Sequence, residues 1–175
     1  PNPNTPSQVS LASPAGLCVD SNDGTLYVAD TGNNRVLRYP RPASQAGRIT
    51  PDAVIGQIDF TTSTSASVTA STLNSPTGLA LGPDGNLFVS DSGNNRVLEF
   101  APRPGSNAAA IRVYGQPDFN TFSPPAEAGP QTLSNPRGIF ADSSSALYVA
   151  DTGAHRIVLY PNTQAAPSAG AAAAA

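Results

Sequence analysis

The chain contains no lysine, no methionine and no tryptophan, and it has a single cysteine and a single histidine. All nine basic residues are arginine, charged residues make up only 12% of the 175 positions, and the formal net charge is −3. A broad nucleic-acid surface depends on many Lys and Arg side chains that neutralise phosphates. We therefore expect no nucleic-acid partner.

The scarcity of cysteine and histidine restricts the chemistry further. Cys18 has no second cysteine to pair with, which excludes an internal disulfide, and its apolar neighbours Leu17 and Val19 predict a buried, unreactive thiol. His155 alone cannot supply the several histidines of a usual catalytic zinc site. We interpret His155 as structural and predict no metal and no cofactor.

Membrane and export signals are also missing. No stretch approaches the roughly 20 apolar residues of a membrane-spanning helix, and no basic-then-apolar leader opens the chain. Because the chain lacks Met and begins Pro-Asn-Pro-Asn, we expect that residue 1 is not the translation start. The low charge and the abundance of Ser, Thr, Pro and Ala favour a secreted or cell-surface protein of a microbe.

What the sequence does contain is one motif repeated three times. Asp30-Thr31-Gly32-Asn33-Asn34-Arg35-Val36-Leu37 returns at Asp91–Leu98 and at Asp151–Val158, at a spacing of about 60 residues. A tandem repeat of this length indicates a stacked or radial architecture, because one unit cannot bury its own apolar faces.

Each repeat consists of short apolar runs separated by turn residues. The first run of each repeat follows Pro-x-Gly and covers 14–19, 76–81 and 136–141; the second covers 26–29, 87–90 and 147–150; the third covers 35–39, 96–100 and 156–160; a fourth covers 53–56 and 111–115. Aromatic and β-branched residues in the runs, and Asp-Gly in the turns between them, predict antiparallel strands. Four such strands make one propeller blade.

These features resemble the NHL-repeat family of β-propellers. The shared signature is a strand that ends in Asp, a Gly-Asn-x turn, and an Arg followed by aliphatic residues; the third copy departs from it with Ala154, while His155 stands where family members often carry His. The resemblance implies an all-β fold of three four-stranded antiparallel blades. Some members of the family are lyases that need several histidines around a metal in the central channel, and those ligands have no counterparts here.

The predicted organisation follows from these blades. We expect an extended N-terminal arm at 1–12, blade 1 at 13–60, a Ser/Thr-rich connecting loop at 61–75, blade 2 at 76–119, a second loop at 120–134, and blade 3 at 135–175 with an incomplete fourth strand. The connecting loops should pack poorly and lie on the surface. Their residues Thr61, Thr62, Ser63, Thr64 and Ser65 could carry O-linked sugar if the protein is exported.

The repeated motif supplies the candidate site residues, which are Asp30, Gly32, Arg35, Asp91, Gly93, Arg96, Asp151, Gly153 and Arg156. Each Asp could face the Arg across the turn in a charge-assisted bond, bidentate in its strongest form, that fixes the loop and ties one blade to the next. The alternative is a ring of polar groups around a ligand at the propeller mouth. We favour the structural interpretation because the pair recurs in every blade.

Two further motifs have competing interpretations. Asp20-Ser21-Asn22-Asp23-Gly24 has the alternating oxygen ligands of a calcium loop, but it lacks the closing Glu, so we interpret it as a hairpin turn. The segments 56–60 and 115–119 both read Gly-Gln-x-Asp-Phe. We expect their Phe residues to fill the seam between sheets, and a Gln-Asp pair on a loop could bind a ligand.

Three blades are too few to close a ring, since propellers have about four to eight. Two copies could complete one ring, further repeats of a longer chain could do so, or open edges could build a filament. We therefore expect a non-catalytic scaffold or protein-interaction module, with copies of itself, further repeats, or a protein or glycan as partner. The alternative is a metal-dependent lyase or hydrolase with a site in the channel.

Overall fold

Each repeat folds into one small antiparallel sheet, as its alternation of apolar runs and turn residues predicts. The computed structural model describes residues 5–47, 49–65, 67–124, 126–168 and 170, and these contain eleven strands in three sheets. Blade 1 consists of β1 (Gly16–Val19), β2 (Leu26–Asp30), β3 (Arg35–Tyr39) and β4 (Ala53–Ile55). Blade 2 consists of β5 (Pro76–Leu81), β6 (Leu87–Asp91), β7 (Arg96–Phe100) and β8 (Arg112–Tyr114). Blade 3 consists of β9 (Pro136–Ala141), β10 (Leu147–Asp151) and β11 (Arg156–Tyr160).

Within a blade, each strand pairs with the next along the chain. In blade 1, Val28 lies opposite Leu17 on one side and Leu37 on the other, and Val89 occupies the same place in blade 2. The expected all-β class of propeller blades is confirmed. In the part of the chain that the structure describes, no helix is long and apolar enough to cross a membrane.

The repeated motif forms the bend between the second and third strands. A single turn of 3-10 helix is followed by Asn34, Asn95 or His155, each in the left-handed conformation with φ of 54°, 55° and 53°. Asn and His adopt this conformation more readily than most residues. The three motif copies therefore lie at equivalent bends.

The blades pack face to face, and we call the side of a blade that points to the preceding blade its leading face and the opposite side its trailing face. Tyr27, Ala29 and Val36 on the trailing face of blade 1 share one buried core with Leu87 and Val89 of blade 2. A second core joins blade 2 to blade 3.

Glycine in each Pro-x-Gly start lets the innermost strands β1, β5 and β9 approach closely. A Cβ on Gly16 would lie 2.0 Å from the Thr77 carbonyl oxygen, and one on Gly78 would lie 2.1 Å from that of Arg137. Such distances are far inside van der Waals contact, so only glycine fits here.

The arc of three blades is open at both ends. Val36 and Val97 are 0% exposed, whereas Ile157, at the same position on the trailing face of blade 3, is 70% exposed. On the leading faces, Leu79 of blade 2 is 7% exposed and Leu17 of blade 1 is 68% exposed. The expected apolar faces at the two ends are therefore present.

The N-terminal arm and the connecting loops depart from expectation. Residues 5–12 are not a free arm, because the carbonyl oxygens of Ser7 and Ser10 accept hydrogen bonds from Arg35 of blade 1. The connecting loops are not simply solvated, since Leu73 and Leu133 are fully buried in the two cores. Residues 1–4 and the Ala-rich end 171–175, where a fourth strand of blade 3 was expected to start, lie outside the described residues.

Candidate functional site

The Asp and Arg of each motif form an ion pair across the bend. Arg35 Nε donates to Asp30 Oδ2 at 2.7 Å, and the distances are 2.7 Å for Arg96 with Asp91 and 2.8 Å for Arg156 with Asp151. The bond is single rather than bidentate. The other carboxylate oxygen accepts a backbone N–H from Ala12, Asn74 or Ser134, each at 2.6 Å.

The remaining guanidinium nitrogens hold backbone carbonyls. Arg35 Nη2 donates to Ser7 O at 2.9 Å and Ser10 O at 2.8 Å, while Nη1 donates to Phe60 O at 2.5 Å. Arg96 makes the same contacts with Thr69, Thr72 and Phe119. Both of these arginines are completely buried. The pair therefore fastens the segments before and after its own blade, and four of the five guanidinium N–H groups are bound within the chain.

The glycine of each motif takes part in the same fastening. Gly32, Gly93 and Gly153 donate their N–H groups to the carbonyls of Ala12, Asn74 and Ser134 at 2.8, 2.9 and 2.8 Å. These are the residues whose own N–H groups bind the Asp carboxylate. The nine predicted motif residues thus form three structural clusters, and none of these residues lines the clefts along β1, β5 and β9.

Direct hydrogen bonds between blades come from motif side chains for which the sequence predicted no role. Asn34 Oδ1 accepts the Ser75 N–H at 2.8 Å, and Asn95 Oδ1 accepts the Asn135 N–H at 2.8 Å. Thr31 Oγ1 also donates to Pro76 O at 2.6 Å. The Asp-Arg pair holds the connecting segments between blades, and its predicted role in tying one blade to the next stays a prediction beside these direct bonds. The repetition of a second Asn after Gly-Asn is the sequence signal that could have identified the tie.

The third motif is looser than the first two. Asn33 and Asn94 donate to the carboxylates of Asp30 and Asp91 at 2.8 and 2.9 Å, and Ala154 has no group that could do so. The side chain of Arg156 is correspondingly 28% exposed. His155 is exposed at the bend between β10 and β11.

The Gln-Asp pairs after the fourth strands serve their own turns. Gln57 is buried and donates to Asn34 O at 2.9 Å and Thr64 O at 2.8 Å. Asp59 accepts both the N–H and the hydroxyl of Thr61, and these hydrogen bonds, with a further one from Thr62, lower the pKa of Asp59. Gln116 and Asp118 make equivalent bonds in blade 2. Both pairs are therefore occupied within the fold.

The five candidate glycosylation residues differ in their availability. The hydroxyls of Thr61 and Thr62 bond to Asp59, whereas Thr64 and Ser65 are exposed. Ser63 uses its carbonyl to accept a bond from Asn34. Glycosylation of this loop stays a prediction.

The inner wall, formed by the innermost strands β1, β5 and β9, carries two clefts. A cleft of about 500 Å³ lies between the ends of β1, β5 and β9 and the turns that follow them, and a second of about 490 Å³ lies at the Pro-x-Gly starts of the same strands. The carboxylate of Asp142 at the first cleft accepts bonds from Ser144 and Ala146 in its own turn, which lower its pKa. Among the described residues, no three His, Cys, Asp or Glu side chains come together to hold a metal ion.

Cys18 lines the first cleft and is half-buried, not fully buried as expected, because it packs against blade 2 while Leu17 and Val19 point to the exposed leading face. Burial, reinforced by the nearby Asp20 carboxylate, raises the pKa of the Cys18 thiol to about 12. A thiol with so high a pKa is a poor nucleophile at neutral pH.

Comparison with known families decides the nature of the repeats. The family model described as NHL repeat matches residues 11–39 and 73–100. These two segments are NHL repeats. The resemblance seen in the sequence is confirmed, and the third repeat shows the first three strands and the same bend. No curated protein matches the chain.

Several solved structures share the fold of this chain. Virginiamycin B lyase from Staphylococcus aureus aligns with a TM-score of 0.53 at 17% identity, over 87% of this chain and 39% of its own. Hydrazine synthase from Kuenenia stuttgartiensis gives 0.56 at 15%, over 88% and 34%, and a functionally unknown protein from Desulfotomaculum acetoxidans gives 0.54 at 12%, over 94% and 42%. At these identities the likeness shows the fold alone. The chain spans less than half of each of these proteins.

Proposed function

We propose that this NHL-repeat chain is a non-catalytic scaffold that binds partners through the open faces of blades 1 and 3. The observation that carries the proposal is the contrast between matched positions. Val36 and Val97 are buried between blades, and Ile157 presents the equivalent side chain to solvent. Exposed apolar patches on a folded protein mark interaction sites.

The polar groups support a structural role. The motif carboxylates and guanidinium groups bond to the chain's own backbone, and the Gln-Asp pairs hold their own turns. His155 lies at the bend between β10 and β11 and is not among the residues that line the two clefts. The proposal of a non-catalytic role rests on these structural bonds.

Export to the cell surface belongs to the same proposal. It rests on composition, and the exposed Thr64 and Ser65 would then be available for O-linked sugar. Mass spectrometry of the peptide that contains 61–65, isolated from the native source, tests this point. Hexose-sized mass increments support it, and an unmodified peptide removes the glycan from the proposal.

Binding of an apolar dye tests the open faces directly. At low protein concentration, anilinonaphthalene sulfonate should fluoresce with the native chain and less with the double variant Phe140→Ser/Ile157→Ser, which alters the open face of blade 3 and leaves that of blade 1 intact. Ile58→Ser is the matched control, because Ile58 is also 70% exposed but follows β4, away from the two open faces. Equal fluorescence from all three proteins would contradict the proposal.

The rival function is a metal-dependent lyase or hydrolase, and metal analysis separates the two. After dialysis, the scaffold should carry zinc and calcium far below one ion per chain. A stoichiometric ion, together with turnover that persists after further purification, would favour the enzyme.

A further inference from the structure

We propose that the trailing face of blade 3 docks on the leading face of blade 1 of a second copy of this chain. The proposal rests on the scaffold function above and names its partner. The contacts within the chain serve as the template, because blade 1 meets blade 2, and blade 2 meets blade 3, through the same two kinds of face.

The apolar side chains match position by position. On the trailing face, Ala80, Phe88 and Val97 of blade 2 pack against blade 3. Their counterparts on blade 3 are Phe140, Tyr148 and Ile157, which are exposed.

The leading face of blade 1 is the other half of the match. Leu87 and Val89 of blade 2 receive the trailing face of blade 1, and both are fully buried. Their counterparts are Leu26 and Val28, which are half-buried, and Leu17 beside them is exposed. Each copy therefore carries these parts of both halves of a blade-to-blade interface, and the described part of blade 3 has no fourth strand to supply a counterpart of Tyr114.

The backbone at Gly138 also leaves space for this contact. Gly78 leaves room for the Arg137 carbonyl oxygen of the following blade, whereas a Cβ on Gly138 would meet nothing closer than Ala150 Cβ at 3.8 Å. In the docked pair, the carbonyl of Ala15 from the second copy takes the place that Arg137 holds against Gly78. Gly138 thus has the space for a neighbouring strand.

A polar tie is available at the same interface. Ser75 and Asn135 have positive φ values of 51° and 47° and donate their N–H groups to Asn34 and Asn95 of the preceding blade. Ser13 has a φ of 48° and the same place before Pro14. Its N–H can bond to a ring nitrogen of His155, which occupies the bend position of Asn34 and Asn95.

The loop that follows each third strand adds a rim contact. Arg103 reaches from blade 2 back to Asp23 of blade 1, and Arg38 of blade 1 donates to the carbonyls of Arg103 and Pro104. Arg41 has the same left-handed conformation as Arg103, with a φ of 45°, and is exposed. In the docked pair it lies over the turn of the other copy that carries Asp142.

The two faces differ, so the contact is head-to-tail, and two copies joined at both ends would form six blades, within the usual range for propellers.

The test uses two variants, each with one of the two faces blocked. Leu17→Asp removes the leading face, and Ile157→Asp removes the trailing face. Sedimentation velocity and native mass spectrometry should show association of the unmodified chain that increases with concentration. Each variant alone should be monomeric, and an equimolar mixture should form a one-to-one complex that grows no further.

The test includes two control variants, Ile58→Asp and Gly105→Ala. Ile58→Asp should associate like the unmodified chain, and the circular dichroism of every variant should remain that of a β protein. Gly138→Ala should leave the melting temperature of the monomer unchanged while weakening association at least tenfold, because the added Cβ would strike the second copy. Gly105→Ala, at another open position, should weaken neither.

The outcomes separate this proposal from the scaffold function. A native chain that stays monomeric at all concentrations overturns the docking proposal, and dye binding to its open faces would still support a scaffold with another partner. A Leu17→Asp variant that dimerises alone also overturns it, because two trailing faces would then be pairing with each other. An unmodified chain that neither binds the dye nor associates would contradict the scaffold function itself.

Discussion

Gly78 and Arg137 are in backbone contact across the seam between blades 2 and 3, and a Cβ on Gly78 would stand 2.1 Å from the Arg137 carbonyl oxygen. The seam is therefore set by backbone-to-backbone packing at the inner strands. Side-chain cores lie further out along the blades.

Gly78→Ala should destabilise the fold by about 1–3 kcal/mol, because the inner strands must move apart to accept the methyl group. Urea unfolding followed by circular dichroism measures this change. Gly138→Ala is the matched control within the same motif and should change the stability of the monomer by less than about 0.5 kcal/mol. Equal effects of the two substitutions would show that the close contact is not responsible.

Ala154→Asn should stabilise blade 3 by about 0.5–1.5 kcal/mol. The new amide can donate to the Asp151 carboxylate, as Asn33 and Asn94 do in the other blades. Thermal unfolding of this variant and of Asn94→Ala should show opposite shifts of the melting temperature. A neutral Ala154→Asn beside a destabilising Asn94→Ala would mean that the third bend differs in shape from the second.

Arg96→Leu should cost about 3–5 kcal/mol, because it leaves the Asp91 carboxylate buried without its cation. It also removes the donors to the Thr69, Thr72 and Phe119 carbonyls. Arg156→Leu should cost less, since that side chain is partly exposed and its carboxylate can gain water. Chemical denaturation of both variants gives the two values, and a larger loss for Arg156→Leu would refute the ranking.

Alkylation of Cys18 by iodoacetamide near pH 8 should be about 10- to 100-fold slower in the folded chain than in urea, because the folded thiol forms little thiolate. The pKa of Cys18 is raised from 9.0 to about 12, so the rate in the folded protein should still be rising above pH 10. Below pH 9 the thiol is neutral in both the folded and the unfolded chain, and the fold has its full contribution from the neutral Cys18. This contribution to the free energy of unfolding is lost as the pH rises above 9 and through about 12. A rate that levels off near pH 9 would show an unshifted thiol.

The strands were predictable from the sequence because turn residues and β-formers alternate in register in all three repeats. The same is true of the bend, whose residues recur at fixed spacing. Leu73 and Leu133 were missed because each is an isolated apolar residue in a polar segment without the alternation of a strand, although both stand three residues before the Pro-x-Gly start of a blade. Burial of such a residue is decided by the neighbouring blade, which the local sequence does not describe.

The site shows the same division. The pairing of Asp with Arg across a bend follows from opposite charges at fixed spacing. The carbonyl partners of Arg35, by contrast, are 25 to 28 residues away along the chain. Carbonyl groups carry no side-chain signature, so only the three-dimensional arrangement reveals them.

Arg96 donates hydrogen bonds to the carbonyls of both Thr69 and Phe119. These two residues therefore mark the limits of a segment that can be duplicated as one structural unit. A segment cut at the sequence motif would leave the buried guanidinium of Arg96 without its hydrogen-bond acceptors. A segment from before Thr69 to just past Phe119 contains all of these acceptors. Gene duplication, deletion or a designed insertion that respects those limits should yield arcs of other lengths. Cuts made between Thr72 and Pro76 should not.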